Sequence, residues 1–178
     1  MSRIIVSIDE AICYDTEDVT GADELYVVGA IRTFSGQTSG GFVTRPISIN
    51  TNETRKFNFG GGIVFDKEVP DNSPLQIEMI VFDEDAVKDV SRYDQARTLV
   101  DQAVTAMPNP LFAAASLPLD AIRTFMVLDQ DDELGTNRNT MFVGNVPRGW
   151  SFHQWNAKET GIGFSTWNYW IRYWIGRF

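Results

Sequence analysis

The stretch Leu75-Gln76-Ile77-Glu78-Met79-Ile80-Val81-Phe82-Asp83-Glu84-Asp85 decides how this chain folds. Leu75, Ile77, Met79 and Val81 alternate with Gln76, Glu78 and Ile80, which is the two-residue period of a β-strand. Asp71-Asn72-Ser73-Pro74 sets a turn before it, because each of these residue types favours chain reversal. The strand delivers Asp83 and Asp85 at its end, so one segment carries both the sheet and the first candidate ligands.

Toward the N-terminus the same signal recurs. Ile4, Ile5, Val6 and Ile8, then Ala11 and Ile12, make a strand of Arg3 to Cys13. Leu25, Val27, Gly29 and Ile31 alternate with Tyr26, Val28, Ala30 and Arg32, a second strand that is apolar on both faces at its start. Ser35 to Gly41 is a loop, and Phe42 to Asn50 is a third strand in which Pro46 marks an edge or a bulge. Thr54 to Phe59 and Ile63 to Phe65 are shorter strands around Gly60-Gly61-Gly62. That triplet is a turn or bulge, since no Lys-Ser/Thr pair and no helical pattern follow it as a phosphate loop requires.

Toward the C-terminus the period changes. Val87, Val90, Tyr93, Ala96, Leu99, Val100, Ala103, Val104 and Met107 recur at three- and four-residue steps, an amphipathic helix that Pro108 and Pro110 stop. Ser116-Leu117-Pro118 starts a second helix through about Leu128. Thr140 to Val146, Trp150 to Trp155 and Phe164 to Ile175 are the last strands. In the final one Trp167, Tyr169, Ile171, Tyr173 and Ile175 share one face, and Asn168, Trp170, Arg172 and Trp174 the other. The expectation is a single mainly β domain over 1–178, an antiparallel β-sandwich with a two-helix insertion at about 86–128.

The chain is long enough to bury a real core at 178 residues. Its 24 Asp and Glu against 15 Lys and Arg, a formal charge of -9, argue against nonspecific nucleic-acid binding. A single cysteine, Cys13, excludes an intrachain disulfide and reads as a small buried hydrophobe. The single histidine, His153, reads as a structural or surface residue, and one His with one Cys is too little for a zinc or nucleophilic site. No apolar run approaches the ~20 residues of a membrane span. Met1-Ser2-Arg3 leads into an apolar stretch too short for a secretory signal and without a cleavage site, so a soluble, cytoplasmic chain as synthesised is expected.

Two acidic clusters stand out. The first is Asp15-Thr16-Glu17-Asp18-Val19-Thr20-Gly21-Ala22-Asp23-Glu24; the second is split between Asp83-Glu84-Asp85 and Asp129-Gln130-Asp131-Asp132-Glu133-Leu134-Gly135. Carboxylates at this density repel unless water or a cation separates them, and calcium takes many hard oxygens. The plainer reading is a solvated, turn-rich rim, because Asp and Asn favour loops. An EF-hand does not fit: from Asp129 the glycine falls at the seventh position, Gly135, and the twelfth is Thr140. Paired acids could also hydrolyse glycosides, but aspartates clustered in glycine-containing loops suit a metal better, and no enzymatic activity is expected.

These motifs resemble the C2 domains. Asp18, Gly21 and Asp23-Glu24-Leu25-Tyr26-Val27 are similar to that family's first calcium loop and following strand. Val81-Phe82-Asp83-Glu84-Asp85 is similar to the start of its third loop, and Asp132-Glu133-Leu134-Gly135 to its close. The chain departs from the pattern in having Glu24-Leu25 where the family usually has a proline, first-loop aspartates one residue closer, and about 40 residues inserted in the third loop. The resemblance implies calcium ligation by Asp23, Asp83, Asp85 and Asp132, then Asp18 and Asp131. The shifted spacing brings Asp15 and Glu17 into contention, and Asp129 is a further possible ligand.

The implied partner is a phospholipid membrane or a protein, with Leu111 and Phe112 as a candidate apolar anchor. Trp170 and Trp174 suit a sugar-stacking surface or a protein interface, unless the inserted helices bury them. The other reading is a metal-independent assembly protein that uses its aromatic C-terminal strand and helices as interfaces.

Overall fold

The computed structural model describes residues 1–16, 21–33, 39–57, 62–83, 98, 102, 132–159 and 166–178, with only the backbone at Ser39 and Asp132. Among these residues ten strands follow one another: β1 (Ser2–Asp15), β2 (Asp23–Thr33), β3 (Ser39–Val43), β4 (Ile47–Ile49), β5 (Thr54–Lys56), β6 (Ile63–Val69), β7 (Pro74–Asp83), β8 (Asp132–Phe142), β9 (Gly149–Glu159) and β10 (Trp167–Arg177). They form two antiparallel sheets. The first has the order β5-β1-β10-β9, with β6 also on β1; the second has the order β3-β2-β7-β8, with β4 also on β2.

The core lies between the sheets. Val6, Ile8, Tyr169, Ile171, Tyr173 and Ile175 of the first sheet meet Leu25, Val27, Leu75, Ile77, Met79 and Val81 of the second. β1 keeps its apolar residues inward over fourteen positions through a bulge between Ile8 and Glu10. The extra residue, Asp9, shifts the inward positions from Ile4, Val6 and Ile8 to Ala11 and Cys13. A bulge between Val81 and Phe82 in the β7–β8 register likewise lets β8 bury Leu134.

β2 and β7 are buried on both faces. Tyr26, Val28, Ala30, Ile80 and Phe82 point away from the inter-sheet core yet are almost fully buried, and Tyr26 stacks on Phe82 with centroids 5.5 Å apart. The doubly apolar reading of the second strand agrees with this. On the same outer face Glu78 is fully buried.

Several sequence expectations need correction. Phe42 to Asn50 is not one strand: β3 and β4 are separated at 44–46, where Thr44 caps the gap by donating its N–H to the Val27 carbonyl and accepting from the Val27 N–H. Of the strand expected at Thr54 to Phe59, β5 ends at Lys56 and 58–59 lie outside the described residues; the strand at Ile63 extends to Val69. The strand expected at Thr140 to Val146 starts eight residues earlier, at Asp132, and gives way to a single 3-10 turn at Val143–Asn145. Pairing with all of β7 holds this polar segment extended. The two-helix insertion at about 86–128 lies outside the described residues, apart from Thr98 and Gln102.

Candidate functional site at the acidic end of the sandwich

Antiparallel pairing brings five strand ends together. Leu25 near the start of β2 faces Asp83 at the end of β7, and Asp83 faces Asp132 at the start of β8. Asp15 at the end of β1 faces Asn168 at the start of β10. Three acidic segments separated by tens of residues in sequence therefore begin or end at one end of the sandwich.

Asp23 and Asp83 are buried there, 1% and 3% exposed. Ionised carboxylates at such depth need hydrogen-bond donors, and both have them. Asp23 Oδ2 accepts from the Tyr169 hydroxyl on the opposite sheet, and Asp83 Oδ1 accepts from the Glu24 N–H at 2.7 Å. Asp15 is exposed and accepts from the Thr166 hydroxyl at 2.8 Å. Cys13, opposite Tyr169 in the β1–β10 register, is buried as expected; burial pushes its thiol up to about 11, so it is neutral at physiological pH.

Of the predicted ligands, Asp15, Asp23 and Asp83 are thus at this end, and the backbone of Asp132 joins them. Glu17, Asp18, Asp85, Asp129 and Asp131 lie outside the described residues, as do Leu111 and Phe112. Among the described residues no three His, Cys, Asp or Glu side chains group so as to hold a metal ion. Asp23 and Asp83 are hard oxygen donors of the kind calcium takes, and the rest of its six to eight positions would fall to the acids that neighbour them in sequence.

A second surface lies on the outer face of the first sheet. Trp174 and Trp170 are there and are half-buried. Their neighbours on β9 carry a signal that the strand pattern alone did not reveal: Phe152 pairs with Trp174, and Trp150 with Gly176. Phe152 meets Trp174 edge to face at 5.2 Å, and Trp150 meets Phe178 at 5.6 Å. Trp150, Phe152 and Phe178 are about half exposed. Register, which single-strand alternation cannot supply, gathers them.

The acids at the β1 bulge border this face. Trp174 Nε1 donates to Asp9 Oδ2 at 3.0 Å, and Arg172 Nη1 pairs with Glu10 Oε1 at 2.7 Å while its guanidinium lies 5.6 Å over the Phe152 ring. His153 stacks on Tyr173 at 5.2 Å within hydrogen-bond distance of the Ser151 hydroxyl, a structural placement.

No protein-family model and no curated protein sequence matches the chain. Among solved structures it is similar to the C2 domain designated A of a plant extended synaptotagmin 1, at 12% identity and a TM-score of 0.45 over 99% of this chain and 93% of that one. It is also similar to a structure of a C2 domain, at 14% identity and a TM-score of 0.43 over 99% and 98%. Human GIVD cytosolic phospholipase A2 in complex with methyl gamma-linolenyl fluorophosphonate is matched at 11% identity and a TM-score of 0.44, over 99% of this chain and 17% of that one.

Proposed function

We propose that this chain is a non-enzymatic interaction module whose acidic end takes calcium and then docks on a membrane surface or a protein. The observation that supports this most is the convergence of Asp15, Asp23, Asp83 and Asp132 at one end of the sandwich, each followed or preceded in sequence by further acids. Asp18, Asp23, Asp83, Asp85, Asp131 and Asp132 would hold the ion, with Asp15, Glu17 and Asp129 at its margin. The bound cation would offset the mutual repulsion of these carboxylates and reverse the local sign of a protein whose formal charge is -9.

Calorimetric titration of chelator-treated protein with calcium tests this. Saturable heat that disappears in Asp83→Asn with Asp132→Asn supports it. Asn retains an oxygen that can accept from the Glu24 N–H, so the pair removes charge without orphaning that donor. No heat at millimolar calcium, with an unmoved melting temperature, overturns it. Calcium-dependent sedimentation with phospholipid vesicles assigns the membrane as partner; calcium binding without sedimentation assigns a protein.

The half exposure of Trp150, Phe152 and Phe178 favours a second reading, a metal-independent module that associates through its aromatic face. An oligomer of the same size in calcium and in chelator supports that alternative.

A further inference from the structure

The outer face of the first sheet carries a depression of about 370 Å³ lined by Ser7, Ile63, Trp150 and Trp174. Its shape follows from the register. Ile63, Ser7, Trp174 and Phe152 form one cross-strand row over β6, β1, β10 and β9; Asp66, Ile5, Gly176 and Trp150 form the next. Ser7, the small residue of the first row, leaves a floor, and the two indoles and Ile63 stand around it. In the second row Gly176 lets the Phe178 and Trp150 rings close over it, since an added Cβ would meet them at 2.7 and 3.0 Å.

The polar groups at this depression are few. Ser7 already takes part in another interaction, and the Trp174 N–H is committed to Asp9. A sugar ring, which needs several hydrogen-bond partners to replace water, is poorly served. Glu10 is paired to Arg172, but Asp9 stands at the edge of the Trp174 ring, where its charge favours a cation over an uncharged aliphatic group. A cation without N–H donors suits both features: it presents methyl groups to the rings, gains from their negative faces, and asks for no hydrogen bond.

The surface already holds one cation this way, because Arg172 lies over Phe152 while paired to Glu10. Trp174 repeats the combination of ring and carboxylate through its bond to Asp9 Oδ2, and among the described residues no cation lies over its ring. Lys56 Nζ approaches the other Asp9 oxygen at 3.7 Å, but its side chain is mostly exposed, so this pair is weakened by solvent. The volume is at the small end of the range for ligand sites.

We infer that this depression binds a small quaternary ammonium ligand of the choline type, held over Trp150 and Trp174 beside Asp9. The site is on the face of the sheet and does not depend on calcium at the strand ends.

Titration with free choline, with 3,3-dimethylbutan-1-ol as its uncharged isostere, tests the inference. Choline is expected to bind saturably in the millimolar range, and the isostere about tenfold or more weakly, the difference a cation–π site makes. Trp150→Leu, at a half-exposed position, is expected to weaken choline binding about tenfold, and Trp150→Phe, which keeps a π face, only a few-fold. Equal affinity for the isostere overturns the assignment, as does unchanged binding in folded Trp150→Leu. Absence of saturation at tens of millimolar choline also overturns it, including the case in which the protein sediments only with phosphatidylcholine vesicles.

Discussion

The Tyr169 hydroxyl on β10 donates a hydrogen bond to the Asp23 carboxylate at the start of β2, tying the two sheets together at the acidic end. Both residues are almost completely buried, and 146 positions separate them in sequence. Breaking this bond removes a donor from a buried carboxylate and puts nothing in its place, which is costlier than losing an exposed contact.

Tyr169→Phe is therefore expected to cost about 1–3 kcal/mol. At roughly 2–4 °C per kcal/mol for a domain of this size, the melting temperature should fall by several degrees. Thermal unfolding in chelator measures it. Asp23→Asn, which keeps an acceptor for the hydroxyl, should fall less; equal losses would show that the charge matters more than the bond.

Calcium should stabilise the folded chain by mass action. At a free concentration one hundred times its dissociation constant, a ligand specific for the folded state contributes about 2.7 kcal/mol. That corresponds to a rise of roughly 5–10 °C in the melting temperature. Differential scanning at stepped calcium reads it directly, and a flat series would remove the acidic end from consideration as a metal site.

His153 should titrate below the usual histidine range, because partial burial against Tyr173 disfavours the charged imidazolium. The sign follows from the depressed folded-state value. Its contribution to stability is complete above the unfolded value near 6.5 and is lost as pH falls through the lower folded value. As the chain has one histidine, its ring proton resonances report this without overlap. A midpoint at or above 6.5 would contradict the placement.

How much of this could be read beforehand depended on whether the signal was local. β7 was legible because Leu75, Ile77, Met79 and Val81 alternate cleanly, and the C-terminal strand was legible for the same reason. β8 was not, since Asp132 to Thr140 has Leu134 as its one large apolar residue and is a strand only because β7 pairs with it. The bulge at Asp9 was equally hidden, as an acid among acids. At the site, the meeting of Asp23 with Asp83 followed from strand order, but the choice of Tyr169 as partner is a tertiary fact. So is the gathering of Trp150 with Trp174, which needs the β9–β10 register.

The same gap between local and tertiary information makes Arg138 a stringent test. Its side chain is 54% exposed, about as much as that of Arg55, and both pair with a glutamate. The partners differ. Glu53 is partly exposed, so Arg55→Ala should cost less than about 1 kcal/mol. Glu78 is fully buried: its Oε1 takes Arg138 Nε at 2.5 Å and Gln76 Nε2 at 2.9 Å, and its Oε2 has no hydrogen-bond partner among the described residues. Arg138→Ala leaves that carboxylate with Gln76 and the nearby charge of Arg32, and because Arg138 is itself half exposed the loss should be about 1–3 kcal/mol, still more than at the exposed pair. Replacing both residues, with Glu78→Met and Arg138→Leu, should recover most of the loss, because the expense lies in a buried charge that has lost a partner. Urea unfolding of the three variants separates the cases, and an Arg138→Ala variant as stable as Arg55→Ala would place Glu78 in contact with solvent.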